Sequence, residues 1–580
     1  MMNDIYLHLR EIVAQEFAKN YKLNYTNILN SSFVIERPKS VGNGDLSTNI
    51  CMVNSREIGI KPIDAANEIA KLLNNFEEFE KVEVATPGFI NFWTNKSLWH
   101  KFLLHRLKSN NLIPNEIGRG KKINVEYVSA NPTGPLHIGH CRGAVYGDVL
   151  SNLLEETGHK VTREYYVNDA GIQIDQLINS VIIRIKEIID KQALVEYPDN
   201  FYPGEYLIDV ANNILNKYGN SILEMENSSS LIRSDTIEIL LDQIKSDLSS
   251  LSINQDIFVS EQSLINNGKI NDTINILKNM DMIYKGVLEK PKGKEIEDWE
   301  PREQLLFRSS KFGDEVDRPL QKSSGEWTYF ANDIAYHFDK IQRGSDHLID
   351  ILGADHGGYV KRMNASVKAL TNNKAEFTAK LCQMVKLVEN GKQVKMSKRS
   401  GEFITLKEMV DKVGSDSIRF MMMYRKNEAP LEFDFQKVTE QSKDNPVFYV
   451  QYAHARISSV INKLKETKIN IDLSNFDDCN LSCLENDSEI DLIKTLLDWK
   501  SIIETAVKLY EPHRISYYLY DLSSIFHTLW NQGKIDKRNK FIDEERPEVS
   551  KARIALLIAT QKTLKSGLNL IGVTAPDEMQ

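Results

Sequence analysis

The 580-residue chain is 41% hydrophobic and 26% charged, the balance of a soluble folded protein and far from that of a disordered one. Its 72 Lys and Arg against 81 Asp and Glu leave a net charge of −9, which disfavours generic nucleic-acid packaging but permits a local basic groove. At roughly 100–200 residues per domain the length predicts about three to five domains, and no run approaches the ~18 consecutive apolar residues of a membrane helix.

In chain order, the N-terminal stretch sets Asp4, Arg10 and Glu11 inside a helical apolar rhythm and lacks a signal-peptide core. Residues 1–112 mix helical periodicity with strand-like runs at 81–85 and 89–92, split by Thr86-Pro87-Gly88. A polar, glycine-bearing link at 114–121 marks a boundary. Residues 123–129 read as a strand, broken by Asn131-Pro132-Thr133-Gly134-Pro135. A helix follows with Val145, Val149 and Leu153 on one face, closed by Gly158, and then a strand at 160–167. Strand, turn, helix and strand in this order predict a βαβ unit of a parallel sheet. The stretch 176–300 is largely helical in pattern and interrupts that sheet. A second αβ stretch returns as a strand at 347–352, a helix at 359–370 and a strand at 381–388 ending at Glu389-Asn390-Gly391. From about residue 441 the pattern is helical throughout, as in a separate bundle. The expected division is 1–112, 118–440 with an insertion at about 176–300, and 441–580.

The five cysteines are too few for a disulfide framework. Cys479 and Cys483 form a C-x3-C pair, but no second Cys or His pair stands at zinc-site spacing, so reduced cysteines and no metal site are expected.

Two segments carry chemistry. The first reads Asn131-Pro132-Thr133-Gly134-Pro135-Leu136-His137-Ile138-Gly139-His140, where a strand turns into a helix. Backbone N–H groups and the positive helix end there suit a phosphate, and Gly139 lets a nucleotide approach between the imidazoles. Histidine pairs at helix starts more often cap or pack; the strand and two prolines before this pair favour a site. The second is Lys395-Met396-Ser397-Lys398-Arg399, with Lys392 before it, four cations in eight residues directly after a strand end. Alone it reads as a solvated basic loop. Paired with the histidines across two halves of one sheet, it becomes the other jaw of a clamp for ATP phosphates at the carboxyl edge. Positioning and charge neutralisation then suffice for chemistry at phosphate, with no nucleophilic side chain.

With these motifs the chain resembles a class I aminoacyl-tRNA synthetase. Its HIGH-type motif is intact, and its KMSKS-type motif has Arg399 in place of Ser. Further segments narrow the resemblance to arginyl-tRNA synthetases over essentially the whole chain. Glu126-Tyr127-Val128-Ser129-Ala130-Asn131 is similar to the family's first strand and turn, with Glu126, Ser129 and Asn131 toward the amino acid. The segments around Glu261 and from Tyr329 to Asp333 are similar to those that give acidic and phenolic groups to a guanidinium. Gly353, Asp355 and His356 fall in what looks like a nucleotide-facing turn. Asp416-Ser417-Ile418-Arg419 is a D-x-x-R variant of the motif that names the family's helical anticodon-binding domain, and Tyr449, Gln451, Tyr452, Arg456 and Arg514 lie in segments like that domain's tRNA surface. Two N-terminal segments, 44–49 and 87–91, are similar to the family's extra tRNA-binding domain.

The resemblance implies an α/β Rossmann-type catalytic domain with a helical insertion, an α+β N-terminal domain and an all-α C-terminal bundle. It implies activation of L-arginine by ATP with Mg2+, then transfer to the terminal ribose of tRNA(Arg), efficient only with tRNA bound. In that scheme His137 and His140 hold ATP phosphate and ribose, with Pro132, Thr133, Gly134, Pro135, Leu136, Ile138 and Gly139 around them; Lys395, Met396, Ser397 and Lys398 face the leaving pyrophosphate. A cytoplasmic monomer without membrane contact is expected. The chemistry of arginine agrees, since a permanently charged fork needs carboxylates and planar acceptors, the types of Glu261, Asp333 and Tyr329. Competing readings are a ligase for another amino acid, a small-molecule ligase of the same fold such as a pantothenate-forming enzyme, and a non-catalytic tRNA-binding paralogue. The long helical tail argues against the second and the intact His137, His140, Lys395 and Lys398 against the third.

Overall fold

The computed structural model describes residues 4–38, 40, 42–109, 111–190, 196–288, 302–389, 391–394, 404–473 and 475–579. Lys395, Met396, Ser397, Lys398 and Arg399 lie outside them.

Five parallel strands form the central sheet: β1 (Lys122–Glu126), β2 (Lys160–Val167), β3 (Ile257–Ser260), β4 (His347–Gly353) and β5 (Glu376–Cys382), in the spatial order β5-β4-β1-β2-β3. The chain leaves β1 toward β2 and β3 on one side and returns to β4 and β5 on the other. This reversal opens a crevice beyond the carboxyl ends of β1 and β4, the place where ligands bind in open α/β sheets. Glu126 and Asp350 stand opposite each other there, paired in register.

The expected βαβ unit is present. Helix α1 (Ile138–Glu156) joins β1 to β2 and is buried on nearly every side, including Arg142 and Asp148. It packs so closely on the sheet that a Cβ at Gly147 would lie 2.3 Å from the Tyr127 ring, which is why only glycine fits.

Three expectations need correction. The strand read at 123–129 ends at Glu126, because Val128 and Ser129 take left-handed φ values of 72° and 39° that turn the chain into the crevice. The stretch 176–300 is not only a helical insertion. Helices Ile172–Ile189, Tyr206–Tyr218 and Ser228–Ser250 do build their own small core, but Ile257–Ser260 then rejoins the sheet as its edge strand. The strand read at 381–388 is two strands. β5 stops at Cys382, where Asn427 donates from its side chain to Leu381 O (2.8 Å) and accepts Gln383 N on its carbonyl (2.8 Å). Val385–Glu389 belongs to a separate sheet with Lys392–Gln393 and Leu431–Asp434, and Gly391 (φ 72°) makes the hairpin turn.

The N-terminal sheet orders Ile35–Glu36, Leu46–Thr48, Phe89–Thr94 and Phe79–Ala85 antiparallel, with helices Ile5–Tyr21 and Pro62–Leu73 against it. From Pro446 on, the described residues hold only helices, the longest being Pro446–Leu464, His513–Ile535 and Pro547–Leu570. One continuous apolar core runs from Ile5 through α1 to Val573, so the N-terminal unit, the central sheet and the helical tail pack as one body. Among the described residues no helix is long and apolar enough to cross a membrane.

Candidate active site

At the mouth of α1, His137 is the N-cap in extended conformation, and its Nδ1 accepts from Gly139 N at 3.0 Å. His140 Nδ1 accepts from His137 N at 3.3 Å, and the two rings stack at 4.1 Å. The capping role is therefore real and compatible with a site. With Nδ1 an acceptor in each neutral ring, the ring proton sits on Nε2, a donor suited to an anionic oxygen. A Cβ at Gly139 would lie 2.8 Å from the His137 ring, so glycine is needed for the stack.

The turn before the histidines is held from outside the sheet. Thr133 N donates to Asn131 O (2.7 Å), Tyr206 OH donates to Thr133 O (2.5 Å), and Leu136 N donates to Asp247 (3.2 Å). Pro132, Pro135, Leu136 and Ile138 are buried, whereas Thr133, Gly134, His137, Gly139 and His140 reach the surface. Thr405 pairs with His137, and Leu406 N donates to Leu136 O (2.8 Å), so the chain emerging just after the lysine-rich segment is fastened beside the histidines. Gly353 closes β4, and Asp355 and His356 follow it as exposed side chains 3.7 Å apart.

Below this edge lies an acidic crevice. Glu126 accepts from Ser129 Oγ (2.8 Å) and from the buried Lys340 ammonium, which also donates to Asp350 (3.1 Å). His337 is held between Asp350 (Nε2, 2.8 Å) and Asp333 O (Nδ1, 2.8 Å). Both ring nitrogens face acceptors, so the ring is an imidazolium; Asp350 raises its pKa against the burial that would lower it. Glu126, His337 and Asp350 have the spacing of a metal site, but the Lys340 ammonium is already the cation between the two carboxylates.

Two further carboxylates have no basic partner among the described residues. Burial, together with Glu126, Glu261 and Asp350, pushes the Asp333 carboxyl up to about 7, against the lowering effect of His337. Burial also raises Glu261, with Asp169 adding to it; Asn332 Nδ2 donates to Glu261 at 3.1 Å and partly offsets the rise. The Asn332 Oδ1 atom is buried without a donor. Surplus negative charge beside an idle acceptor calls for a cation rich in N–H groups.

Glu126, Ser129, Glu261 and Asp333 are thus brought together. Asn131 lies at the rim, bonded to Gln173 (2.8 Å) and Asn168 (3.1 Å). Tyr329 is not brought in: it is 72% exposed at the first position of helix α2 (Tyr329–Gln342), one turn above Asp333, with Lys322 over its ring. The phenols near the carboxylates are those of Tyr166 and Tyr359. Sequence reading missed these two, together with His337, Lys340 and Asp350. A signal existed for Asp350, a charge inside the apolar run of β4, and for His337 and Lys340, one and two turns after Asp333.

In the tail, helix α3 (Pro446–Leu464) carries Tyr449, Tyr452 and Arg456 on one partly exposed patch. The Arg456 guanidinium lies over Tyr452 (4.1 Å) and Trp530 (5.0 Å) and donates to His527 Nδ1 (3.0 Å), with no carboxylate partner among the described residues. Burial and Arg456 hold His527 down to about 4. Gln451 points elsewhere, to Asp416 (2.8 Å) and Thr574 O (3.0 Å), and Arg514 pairs with Glu511. Arg419 of the D-x-x-R motif is fully buried, bonded to Asp148 of α1, Leu251 O and Ile571 O. Cys479 and Cys483 are free and half-buried, and burial pushes the Cys479 thiol up to about 11.

Comparison with known proteins places this geometry. Residues 7–93 match the arginyl tRNA synthetase N-terminal domain, 103–462 the catalytic domain of class I (R) tRNA synthetases, and 450–579 the DALR anticodon binding domain. The chain is 48% identical to an arginine–tRNA ligase of Roseobacter denitrificans over 96% of its own length and 95% of the relative's. A putative arginyl-tRNA synthetase structure from Campylobacter jejuni superposes with a TM-score of 0.70 at 34% identity, covering 84% of this chain and all of that one. The arginyl-tRNA synthetase of Thermus thermophilus shares the fold at 19% identity, with a TM-score of 0.71 over 99% of this chain and all of that one. With a class I catalytic sheet, an acidic crevice at its switch point and a DALR-type helical tail, the chain belongs to the arginyl-tRNA synthetase family.

Proposed function

We propose that this protein is an arginine–tRNA ligase. It joins L-arginine to ATP as arginyl-adenylate, releases pyrophosphate, and passes the arginyl group to the terminal ribose of tRNA(Arg). The observation that carries the amino-acid assignment is the pair of carboxylates without a basic partner among the described residues, Glu261 and Asp333, near Glu126 and Asp350 at the carboxyl ends of β1 and β4. The arginine guanidinium lies against them and takes Asn332 Oδ1 as a further acceptor. Ser129 and Asn131 hold its α-amino and carboxylate end near the carboxyl edge of β1, where attack on the α-phosphate takes place. His137 and His140 donate from Nε2 to ATP oxygens; Gly353, Asp355 and His356 border the nucleotide; Lys395 and Lys398 neutralise the departing pyrophosphate. Mg2+ enters on the ATP phosphates as part of the substrate. Glu126 and Asp350, the carboxylates of the one cluster among the described residues with metal-like spacing, are engaged with Lys340 and His337, so no resident metal is assigned.

Residues 1–112, 118–440 and 441–580 are the proposed working units: a tRNA-binding accessory domain, the catalytic domain and the anticodon-binding bundle. Tyr449, Tyr452 and Arg456 are the proposed tRNA contacts on the bundle. Gln451 and Arg514 are reassigned to internal bracing, since both are held by protein partners. We assign the active form to a cytoplasmic monomer.

The deciding experiment is ATP–pyrophosphate exchange, with and without tRNA, across the twenty amino acids. Exchange with arginine alone, dependent on tRNA, supports the reading. Exchange with another amino acid reassigns the crevice, and tRNA binding without any exchange makes the chain a non-catalytic binder.

A further inference from the structure

Arg106 stands where helix Lys96–Lys108, the link after it and helix Pro547–Leu570 converge. One of its amino groups donates to Thr563 Oγ1 at 2.9 Å, the other reaches Leu112 O only at 3.4 Å, and Nε is buried without any acceptor. No carboxylate lies within ion-pair reach of it among the described residues. The buried arginines hold more partners: Arg419 pairs with Asp148, Arg553 with Glu489, and Arg142 donates to four main-chain carbonyls although its Nε also lacks an acceptor. The part-buried Arg106 guanidinium, with one hydroxyl and one long carbonyl contact, is less satisfied than these three, and charges withdrawn from water in folded proteins are paired.

A crevice of about 250 Å³ opens on Arg106, walled by Asp4, His105, Ser109, Asn111 and Lys500. The acidic group at this wall is already spent. Asp4 caps helix Ile5–Tyr21 through Tyr6 N (2.8 Å) and Leu7 N (3.2 Å) and pairs with Lys500 at 2.9 Å. Lys500 in turn is shared with the half-exposed Glu504 at 3.8 Å. The positive charge of Arg106 is left over, in a space large enough for a small ion and its water.

We infer that this crevice is a binding site for a small oxyanion of the phosphate or carboxylate type, seated on the Arg106 fork. The two terminal amino groups of the fork, each with a second N–H beyond its contact to Leu112 O or Thr563 Oγ1, take the oxygens of such an ion. The Asn111 amide stands at the wall as a further donor. Its occupant sits between the N-terminal helix, the link and helix Trp499–Leu509, and the site is independent of the ligase reading.

The test uses the full-length chain with ATP and arginine at saturation, so that the histidine crevice is filled. The thermal midpoint is followed against inorganic phosphate, acetate and chloride at constant ionic strength. The wild type should rise saturably with phosphate or acetate and not with chloride, since a ligand of the folded state alone stabilises it by mass action. The order of phosphate and acetate tells which oxyanion the site prefers. Arg106→Met should abolish the rise. Arg106→Lys, which keeps the charge and the stem, should need about tenfold more ligand for the same rise, the loss of one charge-assisted hydrogen bond. It also carries the test if Arg106→Met fails to fold. Equal responses of wild type and Arg106→Lys, or a wild type indifferent to oxyanions over chloride, would overturn the inference.

Discussion

At the residue scale the crevice makes a sharp statement about Asp333. Its carboxyl, pushed up to about 7, is largely neutral below that pH and must ionise to meet a guanidinium. Arginine affinity should therefore climb as pH rises through about 7, level off above it, and release protons on binding below it. Calorimetry in two buffers of different ionisation enthalpy reads that proton release, and Asp333→Asn should flatten the profile. The same shift has a sign for stability. A carboxyl whose folded value exceeds its ordinary 3.8 favours the neutral form on folding. Its ionisation costs nothing near pH 3, grows through the window between, and is fully felt above about 7. Asp333→Asn should thus raise the melting point at pH 8 and leave it nearly unchanged near pH 3. For function, Asp333→Ala should raise the arginine requirement at least tenfold, in line with the ~2–5 kcal/mol cost of truncating one partner of a buried charge pair, while the ATP requirement changes little. Citrulline, uncharged and nearly the same shape, should be rejected by the wild type and less strongly by Asp333→Asn. At the phosphate end, His140→Ala and Lys398→Ala should each slow adenylate formation by roughly 10²–10³ in single-turnover measurements, the cost of one preorganised donor.

At the element scale, α1 connects chemistry to architecture. Its sequence shows an ordinary stripe of Val145, Val149 and Leu153, the mark of a helix with one apolar face. The structure buries Arg142 and Asp148 on the other faces as well, because the segment 419–429 at the end of the catalytic unit closes over them. Periodicity could not show this: the partners of those polar groups come from Ala429, Lys426 and Arg419, more than 250 residues away. Asp148 neutralises Arg419, which is also bonded to Ile571 O at the end of the chain. Asp148→Ala leaves that guanidinium buried and uncompensated, a change that costs about 3–5 kcal/mol. We expect a marked fall in melting temperature and a loss of exchange activity, with Asp148→Asn losing less because it still accepts the hydrogen bond. Retained stability in Asp148→Ala would show that the junction is hydrated.

At the scale of the whole molecule, the tail is not a detachable module. Lys494 pairs with Asp45 of the N-terminal sheet, Tyr6 with Asp498, and Arg419 with Ile571 O, within one continuous core. A chain cut near residue 444 would expose these faces, so loss of tRNA binding by such a fragment would report misfolding as readily as a missing contact. Surface substitutions on the Arg456 patch are the clean probe. Stacking of a base on an aromatic ring contributes about 1–3 kcal/mol, so Tyr452→Ala should weaken tRNA binding by that much and leave its salt slope unchanged. Arg456→Gln, if the guanidinium meets a phosphate of a single-stranded loop, should lower the slope of log K against log salt by about 0.7. Affinity of both variants, taken over a salt series, separates the two contributions in a protein whose net charge is −9.

What the sequence determined by itself was local or periodic: the βαβ unit, the histidine turn and the helical tail, whereas Glu126, Glu261 and Asp333 are singled out by the resemblance of their segments to a family and not by any pattern. Those features survive because strand alternation, turn residues and helix stripes are written in neighbouring positions. Only the tertiary structure decided that Tyr329 stands at the rim while Tyr166 and Tyr359 line the crevice, and that four residues at 257–260 complete the sheet. It alone showed that Lys340 and His337 neutralise Glu126 and Asp350, while Glu261 and Asp333 have no such partner among the described residues. The physical reason is common to all of these. Which charge is paired, and which ring is buried, depends on residues brought together from opposite ends of a long chain, and no pattern within a single segment carries that information.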